Sequence, residues 1–358
     1  MSDWSESMRN QGRSAGFIKS RARELGFDAA GIASAAPSVR AGFVRMWLAG
    51  GCHAGMSWLA RNVEQRLDPG LVLPGARSVV MVARRYPGGT ECPAPPAGHG
   101  SVARYARGCD YHRVMMRDLR RLLADIRTHA GDGVSGRVFT DTAPVLEREL
   151  AARAGLGWVG KHTNLVSPAF GNWFFIGGIL LDIELPADNP LPDRCGRCRR
   201  CLDACPTGAL VAPRTLDARR CLAYLTIEHR GGIPVELRPR IGNRVFGCDA
   251  CLAACPWNRF SPAGGDPHDG GGLDLVRILG LSAEAFNAEF RGSAVRRATW
   301  MGLRRNAAVC LGNDGGPVAA GALARILEAS DPDPVVRAHA AWALGRCGTA
   351  EAHGIRIF

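Results

Sequence analysis

The chain has 358 residues, 46% of them hydrophobic, enough to bury ordinary cores in roughly two or three domains and to exclude a disordered chain. Its formal charge of +12 at pH 7 favours a polyanionic partner and is silent about fold. No apolar run reaches the length of a membrane span and the N-terminus lacks a charged, apolar and cleavable signal, so the expected location is cytoplasmic with no membrane partner.

In chain order, residues 1–28 read as an amphipathic helix ending at Gly26. "ARSVVMVARRY" (76–86) predicts a buried strand, and "GGTECPAPPAGHGS" after it predicts a Pro/Gly loop. "DYHRVMMRDLRRLLADIRTHA" predicts a helix with Val114, Met115, Leu119, Leu122, Leu123 and Ile126 on its apolar face. "RVFTD" (137–141) predicts a short strand running into a helix over "APVLERELAARAG", stopped by Gly155. "NWFFIGGILLDIEL" (172–185) is again rich in strand formers, and the alternation of the two patterns predicts a layered sheet domain.

After "PADNPLPD" the texture changes to a cysteine-rich stretch reaching about residue 260, followed by the loop "SPAGGDPHDGGG". Residues 194–260 carry twelve arginines against five acidic residues, so the cysteine region is also the basic region. "RRNAAVCLG" (304–312) and "RAHAAWALG" (337–345) align at a spacing of 33 residues. Such self-similarity predicts stacked helical hairpins, and two copies make a short stack that leans on the preceding domain.

Thirteen cysteines in a chain with no export signal argue for metal ligation over disulfides. The run C-x2-C-x2-C-x3-C-P at Cys195, Cys198, Cys201, Cys205 and Pro206 has the bacterial ferredoxin spacing. Three thiolates on one tight loop reach three irons of a cube, while the fourth points toward a second cube. A second, partial run supplies Cys248, Cys251, Cys255 and Pro256, but Val245 stands where its first cysteine would be, and Cys221 is best placed to fill the vacancy. The spacing therefore assigns Cys195, Cys198, Cys201 and Cys255 to one [4Fe–4S] cluster, and Cys205, Cys221, Cys248 and Cys251 to another. The alternative is a pair of structural zinc sites. Cys52, Cys92, Cys109, Cys310 and Cys347 read as ordinary thiols.

Other motifs are decoys. "GLGWVGKH" (155–162) has dinucleotide-loop spacing but follows a helix instead of a strand, and His162 replaces the hydroxyl residue of a phosphate loop. "DYHRVM" begins like a cobalt-ligating histidine motif, but Met115 stands where glycine is required. Asp141, at a strand-to-helix junction, reads either as the cap of the following helix or as a catalytic carboxylate.

Taken together, "RYARGCDYHRVM", "DTAPVLERELAARAGLGWVGKHTNLV", both cysteine runs, "CLAYLTIEHRG" and "GCDACLAACPWN", followed by the repeats, resemble the epoxyqueuosine reductase family from about residue 15 to residue 348. The resemblance implies an α+β protein in three parts: a nitroreductase-like α/β cobalamin-binding domain (1–190), a ferredoxin-like two-cluster module (191–262), and HEAT-like helical repeats that help to hold tRNA (272–358). The implied reaction removes the epoxide oxygen of epoxyqueuosine at the wobble position of tRNA. Electrons from a donor such as ferredoxin or flavodoxin would pass through the clusters to a base-off cobalamin that has no protein histidine ligand.

By the same resemblance Asp141 is the proton donor and also a cofactor contact, which requires burial or a neighbouring negative charge to raise its pKa. The other implied cobalamin contacts are Arg104, Gly160, Lys161, His162, Thr163, Asn164, Leu165, Phe174, Ala223, Cys248 and Asp249. Ala223 departs from the serine that the family commonly carries there. Arg219, Arg220, Arg230 and Arg238 near the cysteines, and Arg296, Arg297, Arg304 and Arg305 on the repeats, are candidate contacts to the anticodon arm. A monomer is expected. The competing functions are a reductive dehalogenase acting on a small molecule, and a non-catalytic electron-transfer or tRNA-binding protein.

Overall fold

The computed structural model describes residues 2–87, 95–131, 133–261, 272–329, 331 and 333–348, with backbone alone for residues 2–11. The loop residues 88–94 with Cys92, most of "SPAGGDPHDGGG" and the last ten residues lie outside the described part.

The N-terminal helix Ser2–Glu24 ends where Gly26 takes a left-handed φ of 85°. A four-stranded sheet follows from β1 (Ala29–Ser34), β2 (Ser78–Arg85), β3 (Gly136–Phe139) and β4 (Phe174–Leu181). The spatial order is β1-β2-β4-β3 and every neighbouring pair is antiparallel. Alternate residues of β2 face opposite ways. Val80 and Val82 pack with Ile18, Met115, Leu119 and Leu122 on one face, while Val79, Met81 and Ala83 pack with Leu150 and Ala151 on the other. Burial on both faces explains why "SVVMVA" is apolar throughout and not alternating.

The helix Tyr111–Ala130 matches its periodicity, and Asp110 caps it by accepting from the His112 amide. The helix expected over 143–155 is shorter, Glu147–Arg153, and Asp141 does not cap it. Pro144 disfavours helical geometry at the residue before it, and Asp141 itself sits at φ 59°. The segment 140–146 is therefore a shaped loop. Part of the expected Pro/Gly loop is a strand: His99–Val102 pairs in parallel with Arg244–Phe246 and antiparallel with Leu273–Asp274. Its partners lie so far along the chain that no local pattern announces them.

The repeated segments fall in the helices Trp300–Asp314 and Pro334–Arg346, with Gly316–Glu328 between them. A Cβ on Gly312 would lie 2.6 Å from Ala343, so glycine is what lets these helices close. They share one apolar core with the cysteine region, since Leu222, Leu225 and Phe246 pack in the same cluster as Leu303, Ala307 and Leu344.

That shared core removes three arginines from the expected RNA-contacting set. Arg305 is 1% exposed and donates to the carbonyls of Leu225, His229 and Gly231. Arg304 is buried against Asp331 and the Leu279 carbonyl, and Arg238 donates to the Ile233 carbonyl beneath Trp342. Their charges hold loops onto helices. Burial pulls the Arg305 guanidinium down to about 10, so it remains charged at neutral pH. Arg305→Ala leaves three carbonyls unsatisfied, and the expected loss is about 3 kcal/mol of unfolding free energy by denaturant titration; an unchanged midpoint would show that the loop does not depend on it.

Candidate active site and cluster ligands

The turn Arg104–Ala106 leaves the strand His99–Val102 directly, and its position is fixed from the cysteine region. Ala103 donates its amide to the Phe246 carbonyl, and the Arg104 amide donates to Asp249 Oδ2 at 2.7 Å. Gly247 has φ 72°, and a Cβ there would lie 2.5 Å from Ala103, so only glycine permits this approach. The Arg104 guanidinium is buried over the Trp173 ring, 5.0 Å from its centroid. Phe174 is the next residue along. Asn172 lies 3.4 Å from His162 Nε2, which ties the loop 160–165 to β4. Arg104, Asp249, Phe174 and the 160–165 loop thus converge from four separate segments, and Ala223 packs against the apolar core beside Cys248.

Within that loop Thr163 is left-handed at φ 70°. Lys161 turns its ammonium away to the carbonyls of Gly196 and Cys198, at 2.6 and 2.8 Å. His162 is buried, and desolvation followed by the charge of Arg148 lowers its pKa to about 4. It is neutral, and its Nδ1 accepts from the Asn164 amide.

Asp141 contradicts one expectation. Its side chain is 64% exposed, and its pKa lies below the ordinary carboxylate value. Nearby protein atoms work to raise it, but the hydrogen bond and charge of His112, then Arg148 and Tyr111, prevail. His112 lies 3.0 Å from Asp141 Oδ2 through Nε2 and 2.7 Å from Asp110 Oδ1 through Nδ1. Burial opposes the charge on His112, but Asp141 and Asp110 outweigh it and leave the imidazole pKa raised. The raised imidazole and the lowered carboxyl each favour the charged form, so the pair places its proton on the imidazole side. Tyr111 stacks on Phe175 with centroids 4.2 Å apart and on His112 at 4.0 Å, which fixes the ring.

Behind the loop, Glu147 Oε1 accepts the Asp141 amide at 2.5 Å and so supports the left-handed turn. Desolvation, then the Asp141 charge, raises Glu147 to about 8. His112 and Glu147 were missed as functional residues. His112 stood in the cobalt-like motif and within "RYARGCDYHRVM", and Glu147, six residues beyond Asp141, carries no spacing signature.

The cysteines gather in two groups. Cys201 is pushed up to about 11 by burial and then by repulsion from Cys195, Cys255 and Cys198. Cys251 is raised by burial and then by Cys248, Cys221 and Cys205. Two sulfurs already receive N–H donors: the Trp158 indole at Cys195 Sγ, 3.4 Å, and the Ala209 amide at Cys205 Sγ, 3.2 Å. Four crowded thiols that repel one another as anions fit a cationic iron–sulfur core, which removes their protons as it binds. Asp217 caps the turn Ala218–Arg220 and delivers Cys221, far from both runs in sequence, to the second group.

Of the remaining candidate RNA contacts, Arg220 and Arg296 are exposed. Arg219 pairs with Asp217, Arg297 pairs with Glu228 over the Trp58 ring, and Arg230 donates to three backbone carbonyls.

Fold and site together define a double-cluster redox protein whose cysteine module abuts a polar site at the sheet edge. Residues 194–258 match the 4Fe-4S double cluster binding domain, and residues 66–142 match the family described as Epoxyqueuosine reductase QueG, DUF1730. The epoxyqueuosine reductase of Xanthomonas campestris pv. campestris is 42% identical over 341 residues, covering 92% of this chain and 95% of its own. A crystal structure of an epoxyqueuosine reductase with a tRNA-Tyr epoxyqueuosine-modified stem loop superposes with a TM-score of 0.84 at 30% identity, over 94% of this chain and 91% of that one. The Bacillus subtilis enzyme, solved with its catalytic aspartate loop swung out of the active site, superposes equally well: TM-score 0.84, 30% identity, 94% and 91% covered. The chain belongs to the epoxyqueuosine reductase family.

Proposed function

We propose that this protein removes the epoxide oxygen of epoxyqueuosine in tRNA, giving queuosine, in a reaction that takes up two electrons and two protons and releases water. The observation that carries the reading is the pairing of Asp141, on a strained left-handed turn, with His112, at the side of a site joined through Arg104 and Asp249 to the cysteine module. Strain at a non-glycine residue is retained where the surroundings over-determine it, and such positions cluster at active sites.

Two [4Fe–4S] clusters are assigned to the two cysteine groups, and cobalamin to the face shared by Arg104, the 160–165 loop, Phe174, Ala223 and Cys248–Asp249. The imidazoles of His112 and His162 are both engaged within the protein, which fits a base-off cofactor without a histidine ligand. Cobalamin, when bound, supplies the low-potential redox chemistry. Lys161 contributes its backbone here, since its ammonium serves the cluster loop, and Ala223 offers no hydroxyl. The sheet domain is read as nitroreductase-like and the terminal helices as HEAT-like. Arg219, Arg220, Arg296 and Arg297 remain the arginines open to the anticodon arm. The protein works as a cytoplasmic monomer, and no described helix is long and apolar enough to cross a membrane.

Asp141 alone, with its lowered pKa, is held as the carboxylate and carries no proton of its own to donate. The His112–Asp141 couple holds one proton, and Asp141 presents it to the epoxide oxygen as negative charge develops there. Asp110 and the stacked Tyr111 orient the imidazole. Because the His112 pKa is raised, the couple keeps its proton until the pH climbs through that raised value. The alkaline limb of the pH–rate profile is expected above the ordinary imidazole value of about 6.5. Asp110→Asn removes one stabiliser of the imidazolium and shifts the limb to lower pH; an unmoved limb would separate His112 from the proton supply.

The deciding experiment is anaerobic turnover of cluster-reconstituted protein with cobalamin, a chemical reductant and epoxyqueuosine-containing tRNA, read by nucleoside mass spectrometry. Loss of one oxygen from the modified nucleoside is the expected result. No conversion by protein shown to hold clusters and corrin would overturn the reading.

A further inference from the structure

The two cysteine groups differ in their surroundings. Cys248 and Cys251 flank Asp249, whose carboxylate accepts the Arg104 amide at 2.7 Å, so the second group adjoins the site. Cys195 and Cys198 instead lie on a partly exposed loop whose Arg194, Arg197, Arg199 and Arg200 are all exposed. Asp193 pairs with Arg214 and Asp203 pairs with Arg199 at 3.8 Å, which leaves Arg194, Arg197 and Arg200 without an acidic partner among the described residues. Nothing stands within 4 Å of where a Gly196 Cβ would be, so the loop is uncovered. Lys161 nonetheless holds it from beneath through the Gly196 and Cys198 carbonyls.

A second observation points to the same place. Phe260 is an exposed large apolar side chain, 42% open, and its ring lies 5.4 Å from Trp257. Trp257 packs edge-on to Trp158 at 4.9 Å, and the Trp158 indole donates to Cys195 Sγ. An aromatic series therefore runs from the surface to a cysteine of the first group. A fixed, uncovered, cationic loop beside an exposed aromatic has the composition of a small transient interface, with an apolar centre and a charged rim.

We propose that the surface formed by Arg194, Arg197, Arg199, Arg200 and Phe260 is the docking site of a small acidic one-electron carrier protein. This rests on the proposed reaction, which must draw electrons from outside the chain. At each encounter the carrier loses one electron and the first cluster gains one. Two encounters supply the electron pair that, with two protons, converts the epoxide to an alkene and water. Charge complementarity favours an acidic protein here, whereas the exposed arginines nearer Asp141, such as Arg297, are left for RNA.

The test uses full-length, cluster-reconstituted protein and reduced acidic flavodoxin as the probe, with electron transfer followed by stopped flow. Arg197→Glu/Arg200→Glu should slow the bimolecular step on the order of tenfold at low salt and flatten its ionic-strength dependence. Phe260→Ala should slow it with the salt dependence retained. Both variants should keep wild-type cluster absorbance, affinity for the tRNA stem loop, and turnover driven by dithionite. An unchanged flavodoxin rate in the charge-reversal variant would overturn the docking site, as would weakened stem-loop binding with unchanged electron transfer, which would assign the loop to RNA. Because dithionite needs no docking, conversion in that arm leaves the proposed reaction standing when the docking site fails. Electron uptake without conversion indicates the reverse.

Discussion

Asp141→Ala is expected to lose turnover by a factor on the order of 10² to 10⁴, while cluster absorbance, corrin binding and stem-loop affinity remain. The side chain is 64% exposed and caps no helix, so little stability depends on it. Its loss strands the proton on His112, facing a reacting oxygen it does not reach. Asp141→Asn is the sharper variant, since the amide preserves size and a contact to His112 but cannot pass a proton. Nucleoside mass spectrometry under single-turnover conditions reads the result. Full activity in either variant would remove Asp141 from the chemistry and leave Glu147, raised to about 8 behind the same loop, as the acid to examine next.

Cys221→Ser is the second large effect. If Cys221 completes the second group, the variant retains the first cluster and loses about half of the iron and of the charge-transfer absorbance. Turnover stops because the lost cluster is the one beside Asp249 and the site. Cys52→Ser is the control, as the Cys52 carbonyl accepts the Ala218 amide within the same neighbourhood while its thiol belongs to neither group. Undiminished iron in Cys221→Ser would place the fourth ligand elsewhere.

The cysteine runs were legible because cluster ligation constrains residue type and spacing at short range. The helix Tyr111–Ala130 and strand β2 were legible for a related reason: their periodicity is set by the core they face. Which arginines face solvent was not. Arg304 and Arg305 carry the same charge in the sequence as Arg296, yet the packing of Trp300–Asp314 turns them inward, Arg305 onto the carbonyls of His229 and Gly231 and Arg304 onto the Leu279 carbonyl and Asp331. Their targets are backbone carbonyls, and a carbonyl that needs a donor has no signature in residue type.

Asp141 shows the same division. Its position between a strand and a helix was readable, as was its match to a proton donor. The expectation of burial failed because the pKa is governed by His112, twenty-nine residues away and brought to 3.0 Å by the seating of Tyr111–Ala130 on the sheet. By itself the sequence determined the cysteine runs, the double-cluster plan and the family, since each rests on residue identity at fixed spacing. Only the tertiary structure decided which charges face solvent, which groups surround Asp141, and which cysteines lie toward the surface. Those depend on burial and on distances between remote segments, and local sequence carries neither.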